Sequence, residues 1–348
     1  MPAALPLHRT GRTPHVAGGR AERCRAAFPV FVAVVTTLSA CSIATPIRYA
    51  FDSARDPPER LRIDAPDGTD LVLYSAAIGD GAAPIRPKRM LFVSGSGCTS
   101  LGRFLRPYLA PIRAPHRVFA VEKPGIAEGD LGFACSDAFH AADILPAILA
   151  RQRAALDWLR RGGDGGSGPV TLFGVSEGGS VAVALAAEAG PAIVDRVIVV
   201  GSGGLPLRRS LQILASRDRL PIDVEALFSE VASDPHAVSR RRLGHAHAYW
   251  SSMLDADPLP AYLRLQAPTL VLFGEQDRSV PVESAWHLRE ALRIAGRRNV
   301  TVGIVPGADH ALHRDGQDLK ASLFRYASEG LRSGVWAGEP MPEHDAGP

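Results

Sequence analysis

Short apolar runs alternate with segments of helical spacing along most of the chain, and this alternation limits the possible fold more than any other feature. The eight runs begin near Leu61, Asp70, Met90, Arg117, Val170, Arg196, Thr269 and Val300. Most are apolar on both faces, as expected for strands covered by helices on each side. The first two flank a turn signal and predict a hairpin. A hairpin followed by repeated strand–helix units predicts an α/β fold with a mostly parallel sheet.

The same pattern divides the chain into segments. Its 348 residues are 46% hydrophobic, which is enough to bury a large core. We assign residues 60–204 and 267–330 to two parts of that core. Residues 205–266 have charged helical patterns and no convincing strand, so we interpret them as a helical cap over one end of the sheet. Residues 331–348 are rich in Gly and Pro and predict a disordered tail.

The N-terminus has the features of an export signal. Residues 1–25 are basic, and residues 26–40 form an uncharged, apolar stretch of 15 residues. Because a membrane-spanning helix needs roughly 20 apolar residues, this stretch fits a secretory signal better than a membrane span. We therefore interpret residues 1–40 as a signal peptide.

The end of this segment, Leu38-Ser39-Ala40-Cys41, resembles a bacterial lipobox. The resemblance implies that Cys41 receives diacylglycerol and becomes the mature N-terminus, with residues 41–59 as a tether. Because Ser42 and not Asp follows the cysteine, the resemblance points to the outer membrane of a Gram-negative cell, facing the periplasm. The alternatives are a plain signal peptide with an incidental cysteine, or an uncleaved anchor.

The charge distribution argues against a nucleic-acid partner. The formal net charge is +3, but residues 1–40 hold five of the 39 basic residues and one of the 36 acidic residues. The rest of the chain therefore has 34 basic and 35 acidic residues, a net charge of −1. Such a balance indicates no surface for nucleic acid. The sequence does not indicate an oligomeric state.

Export changes the interpretation of the four cysteines. Cys24 lies in the segment that would be removed, and Cys41 would be lipidated. Cys98 and Cys135 remain as an even pair in an oxidising compartment, where disulfides form and persist. We expect a disulfide between them, and two separate buried thiols are the alternative.

A serine lies at the junction of a predicted strand and a predicted helix. The stretch Gly174-Val175-Ser176-Glu177-Gly178 matches G-x-S-x-G. A sharp turn between strand and helix exposes a serine hydroxyl above the sheet edge, and its tight backbone requires small neighbours. This setting favours Ser176 as a nucleophile. The alternative is an ordinary helix N-cap serine.

A serine hydroxyl needs a positioned base to act as a nucleophile at neutral pH. His310 is the candidate among eleven histidines, because it follows the last predicted strand. The base in turn needs an orienting carboxylate. Asp277, after the strand that begins at Thr269, is the first choice. Glu275 and Asp309 are the alternatives, and Asp309 ranks low because it would point away from the side that His310 presents.

With these residues the chain resembles the α/β-hydrolase superfamily, in particular its esterases and lipases. The resemblance covers roughly residues 60–330 and rests on SGSG after the third strand, GVSEGG after the fifth, GEQD after the seventh and GADH after the eighth. The order serine, acid, histidine fits that family. The resemblance implies an eight-stranded, mostly parallel sheet covered by helices on both faces, with the cap inserted after the sixth strand. It calls for no cofactor and no metal.

The resemblance also implies an oxyanion hole. One donor would be the backbone N–H of Glu177, and the other would come from the loop Ser94-Gly95-Ser96-Gly97, with Ser96 favoured over Gly97. Many members begin this loop with His-Gly, and this chain has Ser94-Gly95. A main-chain donor does not depend on that side chain. A bridge from Cys98 to Cys135 would fasten the loop, and an ordinary strand-end turn is the alternative.

These features predict a secreted, membrane-tethered serine hydrolase of the bacterial cell envelope. It would cleave small-molecule or lipid-like carboxylic esters through an acyl-enzyme on Ser176. An aminopeptidase or amidase on the same triad is the second hypothesis, with Glu225, Glu230 or Asp255 of the cap as candidates to hold a substrate amine. The alternative is that these three residues belong to a solvated helix face. A non-catalytic envelope binding module on a hydrolase scaffold is the third.

The cap segment carries two further candidates. His245 and His247 are two residues apart on a predicted helix, so they do not share a face and do not indicate a metal site. A group of aromatic and apolar residues could line an acyl pocket or form the cap's own core: Tyr249, Trp250, Met253 and Leu254.

Overall fold

The computed structural model describes residues 56–64, 68, 70–80, 88–217, 222–334 and 336. All of them belong to one compact unit that spans residues 44–348. The predicted signal peptide, Cys41 and most of the predicted tether lie outside the described residues. Within the described ranges, no helix is long and apolar enough to cross a membrane.

In the described part of the chain, eight strands form the main sheet, and we label them β1–β8. They are Glu59–Asp64, Asp70–Ile78, Lys88–Val93, His116–Val121, Val170–Val175, Val194–Val200, Thr269–Gly274 and Val300–Val305. Their order across the sheet is β1-β2-β4-β3-β5-β6-β7-β8. Strand β2 is antiparallel to both of its neighbours, and the other pairs are parallel. The predicted sheet and its opening hairpin are confirmed.

Helices flank the sheet on both sides. Outside the segment between β6 and β7 they are α1 Leu101–Leu109, α2 Asp137–Ala142, α3 Leu145–Arg160, α4 Glu177–Ala189, α9 Glu283–Ile294 and α10 Lys320–Ser333. Two hydrophobic clusters result, one with residues of α3, α4 and α9, the other with residues of α1 and α10. Consecutive residues of β5 alternate between them, Leu172 in the first and Phe173 in the second. Because a strand's side chains alternate between faces, a sheet covered twice needs strands that are apolar throughout.

The described residues between β6 and β7, where the cap was predicted, form four helices. They are α5 Leu207–Ser216, α6 Val224–Ser233, α7 His247–Met253 and α8 Leu259–Arg264. A two-residue antiparallel ladder between 241–242 and 245–246 precedes α7. Tyr262 of α8 is fully buried, and its hydroxyl donates to the carbonyl of Ser202, 3.2 Å away. The cap is therefore packed on the chain that leaves β6.

The predicted start of the disordered tail at residue 331 is wrong. Helix α10 continues to Ser333, and both Leu331 and Trp336 are buried. The indole of Trp336 lies on Gly330, where a Cβ would come within 2.1 Å of Nε1, and it donates to the carbonyl of Ala327 at 3.3 Å. Glycine leaves the space that this ring fills. Residues 337–348 lie outside the described residues.

Candidate active site

Ser176 occupies the turn between β5 and α4 in a strained backbone conformation, with φ 53° and ψ −124°. Residues other than glycine seldom adopt this region, and such strain persists only where the surroundings enforce it. Here the amide of Ser176 donates to the carbonyl of Val200 at 2.7 Å. The Ser176 side chain makes no helix-cap hydrogen bond. The N-cap interpretation therefore has no support in the structure.

Three glycines of the motif are required by close packing. A Cβ on Gly174 would lie 2.3 Å from the carbonyl oxygen of Gly178, and one on Gly179 would lie 2.6 Å from Cβ of Ser202. A Cβ on Gly178 would lie 2.2 Å from the carbonyl oxygen of Val93 at the end of β3. Real side chains do not tolerate such distances, so this turn closes only with glycine at these positions.

Asp277 and His310 lie on the loops that follow the adjacent parallel strands β7 and β8. His310 Nδ1 is 2.6 Å from Asp277 Oδ2. Oδ1 of Asp277 accepts the amides of Ser279 at 2.7 Å and Val280 at 2.9 Å. Asp277 is only 2% exposed. Both of its oxygens are therefore fixed, and the pairing at Nδ1 leaves Nε2 as the ring nitrogen available for other contacts.

The two rival carboxylates are engaged elsewhere. Glu275 Oε2 accepts the amide of Gly307 at 2.9 Å. Asp309 Oδ1 accepts the amides of Ala311 at 2.9 Å and His313 at 2.8 Å. The structure thus pairs His310 with Asp277, the first choice from the sequence.

The ring of His310 packs on Gly201. The residue before it, Val200, accepts the hydrogen bond from the Ser176 amide. A Cβ on Gly201 would lie 2.8 Å from Cε1 of His310 and 3.0 Å from Nδ1. The imidazole therefore stands one residue away from the backbone that holds Ser176. Burial alone would lower the pKa of His310, but the hydrogen bond and charge of Asp277 outweigh it, so the pKa is raised.

The loop after β3 contacts the candidate nucleophile. A Cβ on Gly95 would lie 3.2 Å from Cβ of Ser176. Ser96 and Glu177, two of the predicted oxyanion residues, line the same cavity as Ser176. Gly97, the other predicted loop residue, has φ +94° with open space around it and is not among the described residues of that lining. The geometry favours Ser96 over Gly97.

A disulfide joins Cys98 to Cys135, as predicted, and closes a separation of 37 residues. It ties the loop after β3 to the loop that precedes α2. An isolated antiparallel bridge between Thr99 and Leu131 links the same two loops. The candidate oxyanion loop is therefore fastened on its C-terminal side by a covalent bond.

The cavity at Ser176 has a volume of about 280 Å³ and lies between the sheet and the cap. The cap contributes Leu207, Leu211, Leu243, Tyr249, Trp250 and Met253 to its lining. Leu254 is buried in the same hydrophobic cluster without lining the cavity. Both interpretations of this aromatic group thus hold in part, because a side chain of the cap's core can also present one face to a cavity.

The carboxylates predicted to hold a substrate amine are paired away from the cavity. Asp255 accepts two hydrogen bonds from Arg208, at 2.6 and 2.8 Å, and Glu225 accepts one from Gln212 at 3.0 Å. Glu230 lies 3.5 Å from the guanidinium of Arg242. None is among the cavity's described lining residues. The structure therefore supports the alternative interpretation, in which these carboxylates belong to the solvated surface of the cap.

A buried charged cluster adjoins the turn at Ser176, and sequence reasoning missed it. Lys123 Nζ lies 3.0 Å from Glu177 Oε1 and 3.2 Å from Asp143 Oδ1. His245 Nδ1 lies 3.3 Å from Asp143 Oδ2. Burial would lower the pKa of Lys123, but the two carboxylates outweigh it and raise the pKa, so the ammonium stays charged. The signal in the sequence that could have drawn attention to Lys123 is that the chain has only three lysines.

The two cap histidines serve different contacts. His245 stacks on Tyr249 with ring centroids 3.9 Å apart. His247 is 1% exposed, and its Nδ1 lies 3.3 Å from the carbonyl of Asp234. In the part of the chain that the structure describes, no three His, Cys, Asp or Glu side chains are grouped to hold a metal ion.

Residues 90–321, about two thirds of the chain, match the Alpha/beta hydrolase family. The chain therefore belongs to the Alpha/beta hydrolase family, as its strand order and its Ser176 turn also indicate. A relative in Burkholderia vietnamiensis, a 2-hydroxy-6-oxononadienedioate/2-hydroxy-6-oxononatrienedioate hydrolase, is 27% identical over 262 residues. That match covers 66% of this chain and 85% of the relative.

Solved structures show the same fold at low sequence identity. A puromycin-hydrolyzing peptidase of Mycobacterium tuberculosis matches with a TM-score of 0.56 and 18% identity over 82% of this chain. This chain spans only 41% of that peptidase. An esterase of Pyrococcus furiosus matches with a TM-score of 0.54 and 17% identity, covering 79% of this chain and 91% of the esterase.

Proposed function

We propose that this protein is a serine hydrolase that cleaves carboxylic esters through an acyl-enzyme on Ser176. His310 would act as the base and Asp277 would orient it. The observation that carries the proposal is the 2.6 Å hydrogen bond between Asp277 and His310. The His310 ring also packs on Gly201, next to the backbone that binds the Ser176 amide. The three side chains come from separate loops at the same edge of the sheet.

The chemistry follows from these roles. His310 Nε2 takes the proton of the Ser176 hydroxyl as Oγ attacks the ester carbonyl. The tetrahedral intermediate collapses, the bond to the leaving oxygen breaks, and the proton passes from His310 to the released alcohol. Water then attacks the acyl-enzyme with His310 again as base, and Ser176 regains its proton as the carboxylic acid leaves. Since only neutral His310 can take a proton, activity should fall as the pH drops below its raised pKa.

Two backbone amides would hold the oxyanion. Those of Ser96 and Glu177 are the candidates, because both residues line the cavity with Ser176. Glu177 is also the first residue of α4, where the helix N-terminus favours developing negative charge. Removing a donor of this kind costs about 10²–10³ in rate in other enzymes.

The cavity lining supports an ester whose acyl group carries no second carboxylate. The relative's name describes a substrate with two carboxylates. Among the described lining residues of this cavity there is neither arginine nor lysine to pair with carboxylates. The apolar cap residues instead suit an acyl chain. An amidase or aminopeptidase remains the second candidate, because Glu177 brings a carboxylate to the cavity.

We further propose that the protein is exported and held to the outer membrane, facing the periplasm, by lipid on Cys41. The lipobox-like sequence Leu38-Ser39-Ala40-Cys41 supports this placement. The disulfide between Cys98 and Cys135 also fits an oxidising compartment.

Covalent labelling with a fluorophosphonate tests the catalytic proposal. The purified protein should carry one adduct at Ser176 by mass spectrometry, and the adduct should be absent in Ser176→Ala and strongly reduced in His310→Ala. Ser233→Ala, on the exposed surface of α6, is the matched control and should label like wild type. A folded wild-type protein that takes no label would contradict the proposal and favour a binding role.

A further inference from the structure

A strained leucine stands at the tip of the short hairpin that precedes α7. The ladder pairs residues 241–242 with 245–246, so Leu243 and Gly244 form a two-residue turn. Their φ angles are +51° and +83°. Turns with two positive φ angles favour Asn or Asp followed by Gly, because bulky side chains are strained in this region. Leucine at the first position therefore costs stability in the turn itself.

A second hairpin in the same chain has the kind of residue that such a turn favours. Residues 313–314 pair with 317–318. The turn between them is Asp315-Gly316, with φ angles of +49° and +78°. The two turns have nearly the same φ angles, but aspartate tolerates a positive φ because its side chain is short and polar. The turn geometry therefore does not explain the leucine at position 243.

Burial within the protein compensates only part of the strain at Leu243. Leu312 also has a positive φ, +60°, but it is only 1% exposed, so its packing stabilises it. Leu243 is 49% exposed. Strained residues cluster at active sites and at sites that clamp a ligand. The exposed apolar surface of Leu243 is available to such a ligand.

Leu243 also belongs to the candidate active site. It lines the cavity at Ser176. Three other large apolar side chains are exposed, those of Phe133, Trp286 and Ile294, and none of them is among the described lining residues of this cavity. Because Leu243 is both half exposed and part of the lining, it marks the mouth of the cavity.

Contacts on both sides of the turn hold the hairpin in place. The guanidinium of Arg241 binds the carboxylate of Asp137 in α2. The carbonyl of Arg242 accepts the indole N–H of Trp250 in α7 at 2.9 Å. Leu243 follows these two arginines directly, so its backbone is fixed between the core and the cap.

We propose that Leu243 selects substrates by their acyl group, because its side chain covers an apolar acyl chain that extends from Ser176 to the mouth of the cavity. This inference rests on the proposed serine hydrolase activity and names the acyl group of its substrate. Contact between the chain and Leu243 removes apolar surface of both from water. An acetyl group is too short to make this contact, so the preferred ester has a longer acyl chain.

The p-nitrophenyl esters of acetic, butanoic, hexanoic and octanoic acid provide the test, each kept below its solubility limit. Each kcat/KM is divided by the ester's own rate with hydroxide, which removes intrinsic reactivity. In wild type the corrected value for octanoate should exceed that for acetate by about ten-fold or more. In Leu243→Asn that ratio should fall about ten-fold, which is the effect of covering the exposed half of a leucine side chain.

Two comparisons separate contact with the substrate from a role in the fold. Because asparagine adopts a positive φ more readily than leucine, Leu243→Asn should unfold at the same urea concentration as wild type or at a higher one. Ile294→Asn is the matched control, since Ile294 is 71% exposed and is not among the described lining residues. It should keep the wild-type ratio of octanoate to acetate.

The ratio is taken within each variant, so a general loss of activity cancels. If Leu243→Asn does not fold, Leu243→Ala takes its place and should lower the ratio in the same direction. A wild-type ratio in the Leu243 variant, or a wild type that does not prefer the longer chains, would overturn the inference. If that hydrolysis still requires Ser176, the hydrolase proposal stays intact. If no ester is cleaved and Ser176 takes no fluorophosphonate, the proposed function itself is wrong.

Discussion

At the scale of single residues, the candidate site depends on glycines that let other groups approach. The motif glycines around Ser176 are visible in the sequence, but Gly201 belongs to no motif. It has φ +66°, and its Cα faces the ring of His310. A side chain there would strain the backbone and displace the imidazole from Ser176.

Gly201→Ala should therefore reduce kcat/KM by about 100-fold or more, because displacements near 1 Å cost that much in enzymes. Steady-state ester hydrolysis gives this number. Gly296→Ala is the matched control, since Gly296 has nearly the same φ, +64°, with no atoms within 4 Å of an added Cβ. Both variants should lose similar stability through backbone strain, and only Gly201→Ala should lose activity. Full activity in a folded Gly201→Ala would mean that His310 is not held there.

At the scale of elements, the loops after β3 and β4 are fastened to each other. Besides the disulfide, Glu122 at the end of β4 binds the start of α1. Its carboxylate accepts the hydroxyl of Ser100 at 2.9 Å and the amide of Leu101 at 3.1 Å. Burial raises the pKa of Glu122 to about 7 despite these hydrogen bonds. Because Glu122 ionises near neutral pH, the stability of this contact between β4 and α1 depends on pH.

Glu122→Gln should make the protein's stability less dependent on pH. A carboxyl whose folded-state pKa is raised contributes stability that is complete below its unfolded pKa of 4.5 and is lost as pH rises through about 7. Between pH 5 and pH 8 the free energy of unfolding of wild type should therefore fall by roughly 2–3 kcal/mol more than that of the variant. Urea unfolding at both pH values measures this, with the exposed Glu225→Gln as control. Equal pH dependence in wild type and Glu122→Gln would show that Glu122 ionises normally.

At the scale of the whole molecule, a sheet covered by helices on both faces carries the cap. The proposed lipid anchor at Cys41 precedes both in the sequence. One acyl chain binds a membrane weakly, whereas several hold it firmly. If Cys41 is lipidated, the cavity at Ser176 works close to a lipid surface. Lipid-like esters then become natural candidates as substrates.

Expression in a Gram-negative host with labelled palmitate tests the anchor. Wild type should carry the label and sediment with membranes, and Cys41→Ser should lose both properties. Cys24→Ser is the matched control, because Cys24 lies in the segment that we expect to be removed. Label that persists in Cys41→Ser, or that is absent from wild type, would contradict the proposal.

The sequence alone determined the sheet and the order of its candidate catalytic residues. Strand positions follow from apolar runs, because a twice-covered sheet leaves no polar face. The Ser176 turn, Asp277 and His310 follow from local signals at strand ends. Helix boundaries are less accessible from sequence. Residues 138–161 have continuous helical spacing, but the structure divides them between two helices that separate at Asp143. This break places the carboxylate of Asp143 beside the ammonium of Lys123.

Only the tertiary structure decided which distant groups meet. The selection of Asp277 over Glu275 and Asp309 depends on where the loop amides lie, and these are fixed by packing. Lys123 and Gly201 reach the site from loops far from Ser176 in the sequence. Residue types and local spacing specify secondary structure and motifs, but contacts across loops depend on strand order and close packing, which no local pattern contains.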